Sequence, residues 1–508
     1  MNLKPLAVSA VLSVSFGCGV EPNGVEPSDV AVEPPATQQE ALVGVSSLYW
    51  PPSWHYEAPN WVQGPTFVEV CFLAGTPAQR EQVRNRVERT WQRTARVTFR
   101  GWQTCNGSNN GIRIDFRQTP GLGSSSVFGT MALNPGTTMV LDPFDTQGST
   151  ARPEFVITHE FGHALSFAHA ECRTDYTTAG DKNLNGVPDG NEASCATAPD
   201  CVGTRMYGAY DVRSVMSACG RSSVSLPTFS IGLSPNDVAG VQTAYGRKIA
   251  GHLVTPRGKC LTMPNASQGL VADCDEYYDR QELRLKLANE SLDIGGACLE
   301  SAPVGSPSVF MYPVCDGYSG QKWRFESVSI IGWGGLCVDL ANGNTNGGRV
   351  QLWECGALGG VNQRWSPTPT GEIKFGASTS SSCLTAVGGA YWVQPCTGSS
   401  TQQFDLLAGG QLRRRASGLC VDAQGPQASV YAPTSGNGAG LPGNGIGLNE
   451  FSCLSSQLNQ KFHLSGPVRH VASASCLERV ANGVENGTLV QRAPCTGAEA
   501  QLWDYYPL

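Results

Sequence analysis

Charged residues are scarce in this chain, and basic residues do not outnumber acidic ones. Asp, Glu, Lys and Arg make up 15% of the 508 residues, with 35 basic and 42 acidic side chains, whereas about a quarter is usual. Nucleic-acid binding needs a basic face, so the net charge of −7 argues against a nucleic-acid partner. After the N-terminal segment no apolar run approaches the roughly 18 residues of a membrane-spanning helix, so no such helix is expected in the rest of the chain.

The chain does contain enough apolar residues, 40%, to build real cores. Its length predicts several domains. The 60 Gly and 32 Pro follow no period, which favours short strands joined by many turns and excludes a collagen-like chain. The 19 Cys predict disulfides formed in an oxidising compartment.

The N-terminus has the pattern of an export signal. Lys4 precedes an apolar run over residues 6–16, which predicts a signal peptide over residues 1–17. The following Cys18 resembles the cleavage site of bacterial lipoproteins, although Ser15 stands where that motif has Leu. The resemblance implies a bacterial protein that is secreted or held at the outer membrane by a lipid on Cys18. The alternative is an ordinary signal peptide. Residues 18–47, rich in Pro and Glu, are expected to form a linker or pro-segment.

Residues 48–248 have the pattern of one mixed α/β domain. Alternating or continuous apolar residues predict strands over 68–73, 97–102 and 111–116. Helices are expected over 76–93, over 153–167 and from Pro235, where Ser234 would cap the first turn and Gly246 would end the last.

Three of the seven His residues fall within eleven positions, in the segment THEFGHALSFAH. His159 and His163 stand four residues apart, so one helix face presents both to a single Zn²⁺, with Glu160 beside them as a general base. His169 would be a third ligand after a turn of the chain. Three protein ligands with one open position are typical of catalytic zinc.

This motif resembles that of the metzincin metallopeptidases, HExxHxxGxxH followed by a Met-turn. The resemblance implies an α/β (α+β) catalytic domain with Met216 below the metal. Its YDxxSVM segment is similar to astacins and its last helix to matrixins, so the subfamily stays open. Ser166 stands where the family has a left-handed Gly, and Ser217 follows Met216 where astacins have His. A chance pair of His on an ordinary helix, or a lapsed enzyme, are the alternatives.

A second metal loop is indicated by DKNLNGVPDGNE, which matches D-x-[DN]-x-[DN]-G-x₅-E. The expected Ca²⁺ ligands are Asp181, Asn183, Asn185, Val187 through its carbonyl, Asp189 and Glu192. The alternative is a polar turn that binds nothing. Near this loop, Cys172, Cys195, Cys201 and Cys219 are expected to form two bridges of unassigned pairing, and Cys71–Cys105 another.

The remaining residues repeat themselves six times, at a spacing near 40 residues. Each repeat opens with a Cys-[Leu/Val] pair, contains a second Cys, and closes with Gln-x-Trp, Gln-x-Phe or a relic of it. The opening Cys of repeats one to six are Cys260, Cys298, Cys337, Cys383, Cys420 and Cys476. The expected partners within the same repeats are Cys274, Cys315, Cys355, Cys396, Cys453 and Cys495.

These repeats resemble the ricin-type lectins, in which three make one all-β β-trefoil. The resemblance implies two trefoils, over residues 251–368 and 371–508, with Trp365 and its counterparts in their cores. It also implies sugar binding where a repeat has an Asp, an aromatic side chain and amides. In repeat three these are Asp339, Gln351, Trp353, Asn362 and Gln363; in repeat five they are Asp422, Asn449, Phe451, Asn459 and Gln460. The other repeats are expected only to scaffold.

Together these patterns predict an exported zinc endopeptidase that acts on a protein or glycoprotein substrate. The lectin repeats would hold it to glycans and raise the local substrate concentration. The alternative is a carbohydrate-binding adhesin or toxin-like protein with an inactive metal domain.

Overall fold

The computed structural model describes most of the chain between residues 43 and 507. The described ranges are 43–44, 49–52, 54–57, 60–63, 66–107, 111–116, 124–142, 153–170, 205–206, 214–217, 232–248, 251–274, 280–303, 305–356, 360–424, 445–455 and 457–507. Residues 38–508 form one compact unit. The expected signal peptide over residues 1–17, Cys18 and the calcium loop 181–192 lie outside the described residues.

The first half of the chain, residues 43–248, is called the metal half. Its five-stranded sheet has the order β5-β4-β6-β8-β7, in which β7 alone runs antiparallel to its neighbour. The strands of the metal half are β1 Val43–Gly44, β2 Trp54–Glu57, β3 Asn60–Gln63, β4 Thr66–Phe72, β5 Val97–Thr104, β6 Ile112–Phe116, β7 Ser125–Ser126, β8 Met139–Leu141, β9 Phe167–Ala168 and β10 Arg205–Met206.

Three helices pack with this sheet, α1 Pro77–Val87, α2 Pro153–Ala164 and α3 Pro235–Tyr245. α1 and α3 each begin after a capping box, in which Thr76 or Ser234 accepts a hydrogen bond from the backbone of the third helical residue. α1 continues into a π-helical turn, Glu88–Gln92. The helix expected over residues 76–93 is therefore present but interrupted, and the one expected to reach residue 167 ends at Ala164.

One short strand lies within residues 18–47, which are expected to form a linker or pro-segment. Val43–Gly44 forms β1, which pairs antiparallel with both β9 and β10. Backbone hydrogen bonding to two strands orders these residues without any apolar pattern of their own. The metal half thus begins before residue 48.

The second half, residues 251–507, is called the repeat half and is almost entirely short strands and 3₁₀ turns. Its strands are β11 His252–Val254, β12 Cys260–Asn265, β13 Gln268–Ala272, β14 Arg284–Lys286, β15 Ser291–Ile294, β16 Ala297–Ser301, β17 Val309–Tyr312, β18 Trp323–Phe325, β19 Ser329–Ile331, β20 Cys337–Leu340, β21 Gly348–Trp353, β22 Trp365–Pro367, β23 Ile373–Phe375, β24 Ser382–Val387, β25 Ala390–Pro395, β26 Phe404–Leu406, β27 Leu412–Arg414, β28 Cys420–Ala423, β29 Ile446–Phe451, β30 His463–His470, β31 Ser475–Arg479, β32 Leu489–Pro494 and β33 Leu502–Tyr506.

Strand pairing sorts the six repeats into two sets of three. Repeats three, four and five form the inner set, since β19 pairs with the first part of β30 and the hairpin strands β21, β25 and β29 pair with one another. Repeats one, two and six form the outer set, since β11 pairs with β33, β18 with the second part of β30, and β13 with β32.

This grouping corrects the expected boundaries of 251–368 and 371–508. The inner set spans about residues 328–465 and is inserted between repeats two and six of the outer set. The eight-residue β30 belongs to both sets, because residues 463–465 pair with β19 and residues 468–470 pair with β18. Repeat six therefore returns to close the set that repeat one opens.

Each repeat has its own disulfide, and most repeats also have a buried aromatic side chain. All six bridges expected within the repeats are present, as is Cys71–Cys105. Trp323, Trp365 and Trp503 are fully buried, and each indole N–H donates to a backbone carbonyl of its own repeat. Cys172, Cys195, Cys201 and Cys219 lie outside the described residues. In the part of the chain described, no helix is long and apolar enough to cross a membrane.

Candidate functional site

The three predicted zinc ligands meet at the end of α2. His159 and His163 stand one turn apart on this helix, and the chain then turns at Ser166 into β9. Ser166 has φ +73°, the left-handed conformation expected where the resembled family has Gly. The turn brings His169 back, so that its Nε2 lies 3.2 Å from Nε2 of His159 and 3.2 Å from Nε2 of His163.

Backbone carbonyls fix the orientation of the two helical histidines. Nδ1 of His159 lies 2.7 Å from the Val215 carbonyl, and Nδ1 of His163 lies 2.7 Å from the Phe167 carbonyl. Because a carbonyl oxygen can only accept, each Nδ1 carries the hydrogen and each Nε2 has a lone pair directed at the cluster.

This donor set fits zinc. Three nitrogens at about 2.0–2.1 Å from a tetrahedral Zn²⁺ would lie about 3.3 Å from one another, close to the two separations observed. The ligand atoms of all three His lie within 4.8 Å of one another. Glu160 is buried next to His159 in the sequence, and three His ligands leave one coordination position open.

Met216 lies in the turn that supports this cluster. Its side chain is fully buried, and a Cβ added to Gly162 on α2 would overlap its sulfur. The backbone carbonyl of Met216 accepts from Ala170, the residue after His169. The turn therefore contacts both α2 and the segment that carries the third histidine.

Asp237 on α3 holds this turn in place, a role that no motif in the sequence predicts. Its buried carboxylate accepts from the Ser214 hydroxyl at 2.5 Å and from the backbone N–H groups of Val215 and Ser234 at 2.8 and 3.0 Å. Since the Val215 carbonyl accepts from His159, Asp237 is two hydrogen bonds from a metal ligand. Its place as third residue of a capping box could have suggested only a helix start.

The sugar-binding residues expected in repeat three share one face of a hairpin. Asp339 stands opposite Gln351, and Cys337 stands opposite Trp353. Gln351 and Gln363 donate to the two oxygens of Asp339, each at 3.1 Å. Burial raises the pKa of Asp339 above its ordinary value, while these two hydrogen bonds act in the opposite direction. Trp353 is 40% exposed, and Asn362 is half-buried.

Repeat five builds a similar arrangement from other residues. Asp422 stands opposite Asn449, and it accepts from Asn459 at 3.1 Å and from Gln460 at 2.9 Å. Burial raises its pKa also. Phe451 occupies the position of Trp353 and is 55% exposed. Each of the two repeats thus has a held carboxylate beside an exposed aromatic ring.

Repeat two has the same combination, although it was expected only to scaffold. Gln321 donates to Glu300 at 3.0 Å, as Gln363 does to Asp339. Tyr312 stands opposite Cys298, at the position of Trp353, and is 40% exposed. The interpretation from sequence required Asp and missed Glu; the strand register, which only the structure supplies, aligns Tyr312.

The remaining repeats lack either the hydrogen-bonded carboxylate or the exposed aromatic ring. In repeat six Gln491 and Gln501 donate to Glu478, but Ala493 replaces the aromatic ring. In repeats one and four the Gln side chain instead meets a hydroxyl, Thr262 or Thr385. That these repeats only scaffold stays a prediction.

Comparison with known proteins identifies part of the repeat half. Residues 326–440 match the family described as Ricin-type beta-trefoil lectin domain. No curated protein matches the chain. Similar solved structures include myroilysin, at 26% identity over 41% of this chain and all of that one, with a TM-score of 0.27.

Two further structures are lectin-related. A non-toxic homologue of type II RIPs from Momordica charantia (bitter gourd), in complex with alpha-methyl-D-galactoside, is 14% identical over 42% of this chain and 95% of its own, with a TM-score of 0.21. The C-half of an earthworm R-type lectin, in complex with GalNAc, is 16% identical over 28% and 97%, with a TM-score of 0.21.

The chain is therefore a strand-rich protein of several domains that contains a ricin-type lectin domain. That domain begins with repeat three and lies within the inner set. Its presence and the seven disulfides are typical of an extracellular protein.

Proposed function

We propose that this protein is an exported zinc endopeptidase whose repeat half binds glycans on its substrate or on a cell surface. The observation that carries the proposal is the convergence of three Nε2 atoms, two of them oriented by Nδ1 hydrogen bonds to backbone carbonyls. Two buried histidines and the half-buried His169 thus bring three nitrogens to one point, where a cation would satisfy them.

His159, His163 and His169 would hold the zinc, which when bound polarises a peptide carbonyl and lowers the pKa of a water molecule toward about 7. Glu160 takes the proton from the attacking water and passes it to the leaving nitrogen. Glu160 follows His159 on α2 and is buried. Met216 packs against Gly162, on the helix that carries His159 and His163.

The test is cleavage of an unfolded protein by the full chain and by Glu160→Gln. We expect the variant to lose activity by about 10²–10⁴-fold, the usual contribution of a general base, while zinc remains bound. Glu154→Gln is the matched control, because Glu154 is an exposed glutamate at the start of the same helix. Equal activity of wild type and Glu160→Gln would refute the role of Glu160. A zinc-loaded wild type that cleaves nothing would favour the adhesin alternative.

For glycan binding, we propose that Asp339 and Asp422 accept hydrogen bonds from sugar hydroxyls while Trp353 and Phe451 stack on the apolar sugar face. Asp339→Asn with Asp422→Asn should weaken binding to an immobilised galactose-bearing glycan by at least tenfold. Since burial raises the pKa of both carboxyls, binding should fall on acidification at a pH above the ordinary Asp value of about 3.9. Undiminished binding by the double variant would refute these two sites.

Repeat two supplies a third position on the same reasoning, with Glu300 and Tyr312 in the two roles. Binding that survives in the Asp339/Asp422 double variant should disappear on adding Tyr312→Ala. Glu478→Gln, in the repeat that lacks an aromatic ring, is the matched control and should leave binding unchanged. Binding that is indifferent to Tyr312 would restrict the sugar sites to the inner set.

The Ca²⁺ loop over residues 181–192 and the lipid on Cys18 lie outside the described residues and stay predictions. Calcium would be detected as a chelator-sensitive stability increment that Asp181→Ala abolishes. The lipid would be detected by mass spectrometry of the exported protein.

A further inference from the structure

One helix of the metal half lies between the metal-ligating helix and the repeat half. It comprises α1 and the π turn Glu88–Gln92 that continues it. A π turn inserts an extra residue into the helical register and is frequent at functional sites. Here it directs two consecutive side chains, Trp91 and Gln92, to different halves of the molecule.

On the metal side, this helix contacts α2 within a residue of the first zinc ligand. The Trp91 indole donates to the Thr158 carbonyl at 2.8 Å, and Arg86 donates to the Thr158 hydroxyl at 2.7 Å. A Cβ on Gly162 would lie 3.2 Å from the Trp91 ring. Any displacement of Trp91 therefore displaces the stretch of α2 that carries His159 and His163.

On the other side, buried charged groups join the same helix to the outer set of repeats. Arg93, just after the π turn, makes two hydrogen bonds to Asp504, at 2.7 and 2.9 Å. Arg257 donates to Glu88 at 2.6 Å, and the Arg257 carbonyl accepts from Gln92 at 2.7 Å. Glu88, Gln92, Arg257 and Asp504 are all almost completely buried.

Burial makes these pairs sensitive to loss of either partner. Burial of Asp504 opposes its ionisation, but the adjacent Arg93 outweighs this and holds the pKa of Asp504 below its usual range. Removing one partner would leave an uncompensated charge inside the interface. By contrast, Arg84 and Glu485 form a pair at the exposed rim of the same interface, where Glu485 is 63% exposed, and such pairs contribute little.

A second contact reaches the metal centre from the inner set. Gly334 lies against α3, so closely that a Cβ there would fall 2.6 Å from Cβ of Pro235. Pro235 follows Ser234 and precedes Asp237, the two residues of the capping box beside the Met216 turn. The repeat half is thus linked to both elements that support the histidines. It is linked to α2 through the helix that carries Trp91, and to the Met216 turn through α3.

We propose that the repeat half is a fixed support for the metal centre, with Arg93–Asp504 and Glu88–Arg257 as positioning pairs for the zinc ligands. The proposal rests on the zinc site proposed above. It means that the sugar sites stand at a set distance and orientation from the metal, and that a glycan-bound molecule can present only certain peptide bonds to it. A lectin module on a flexible tether would impose no such selection.

The experiment compares full-length wild type, Asp504→Asn and the apolar double variant Arg93→Met with Asp504→Leu. Zinc affinity is measured by competition with a chromophoric chelator, and glycan binding on an immobilised galactose-bearing glycan. We expect Asp504→Asn to weaken zinc at least tenfold and to leave glycan binding within about twofold. The double variant should recover zinc affinity to within about threefold, since apolar side chains can replace a buried pair. Glu485→Gln, at the exposed rim, should change neither.

Unchanged zinc affinity in Asp504→Asn would overturn the proposal. Loss of glycan binding together with zinc would also overturn it, because the repeat half itself would then have unfolded. If wild type binds no zinc, the proposed function fails, and calorimetry then tests whether the two halves are fixed to each other. A single unfolding transition in wild type that splits in two in Asp504→Asn would support the fixed contact, and a transition that does not split would overturn it.

Discussion

Asp237→Ala tests whether the Met216 turn is held in place from α3. The carboxylate accepts three hydrogen bonds in a buried place: from the Ser214 hydroxyl and from the N–H groups of Val215 and Ser234. Alanine removes both acceptor oxygens and with them all three hydrogen bonds. Its smaller side chain also leaves a cavity in their place. The Ser214 hydroxyl can turn to another acceptor, but the two backbone N–H groups cannot.

The magnitude follows from those two orphaned donors. Each buried donor without an acceptor costs about 1–3 kcal/mol, so with two such donors the variant should lose about 2–6 kcal/mol of the stability of the metal half. For a unit of about 200 residues this lowers the unfolding midpoint by roughly 4–24 °C. Zinc affinity should fall in addition. The Val215 N–H loses its hydrogen bond to Asp237, which frees the backbone at Val215, and the carbonyl of the same residue orients His159.

Ser234→Ala is the matched control, since it removes the helix cap and leaves the contacts to Ser214 and Val215 intact. It should cost about 1 kcal/mol and change zinc affinity by less than threefold. The two variants are compared by thermal unfolding and by chelator competition. The reasoning is refuted if Asp237→Ala lowers stability as expected and yet binds zinc as tightly as Ser234→Ala.

Three further predictions concern the same framework. Gly162→Ala should destabilise the protein by about 1–2 kcal/mol in urea unfolding, because overlap with Met216 outweighs the gain in helix propensity; a more stable variant would contradict this packing. Ser166→Gly should stabilise it by about 0.5–1 kcal/mol by relieving the left-handed φ of +73°, and a loss of stability would show that the Ser side chain contributes more than the strain costs. Because the folded pKa of Asp504 is lowered, its contribution is present above the unfolded value of about 3.9 and lost as pH falls through the folded pKa. The difference in unfolding midpoint between wild type and Asp504→Asn should therefore shrink between pH 5 and pH 2.

The convergence of the three histidines could be predicted from the sequence because its information is local. The spacing of His159 and His163 fixes a helix face, and Ser166 adopts the conformation that a Gly would take at the same turn. The ends of α3 follow from Ser234 and Gly246, whose capping chemistry is specific to their positions. Short-range rules of this kind do not depend on where the rest of the chain lies.

The support of that site could not be predicted, since it depends on contacts between distant segments. The helix over residues 76–93 has charged residues at nearly every turn, the pattern of a solvated surface. In the structure Glu88 is instead buried and Arg93 half-buried, against residues about 170 and 410 positions away. A charge is buried only where its partner is present, and the sequence does not show which partner will be there.

The grouping of the repeats was wrong for a related reason, and the correct grouping explains the interface. All six repeats share one chemistry, so nothing in the sequence tells which three will close together, and consecutive grouping was the simplest choice. With consecutive trefoils, Asp504 would belong to the module farther along the chain from the metal half. Because repeat six closes the outer set, β33 pairs with β11 and places Asp504 opposite Val254, three residues from Arg257. The first and last strands of the repeat half thus present Arg257 and Asp504 to the same helix. The insertion of repeats three to five is what allows the end of the chain to support the histidine cluster formed near its beginning.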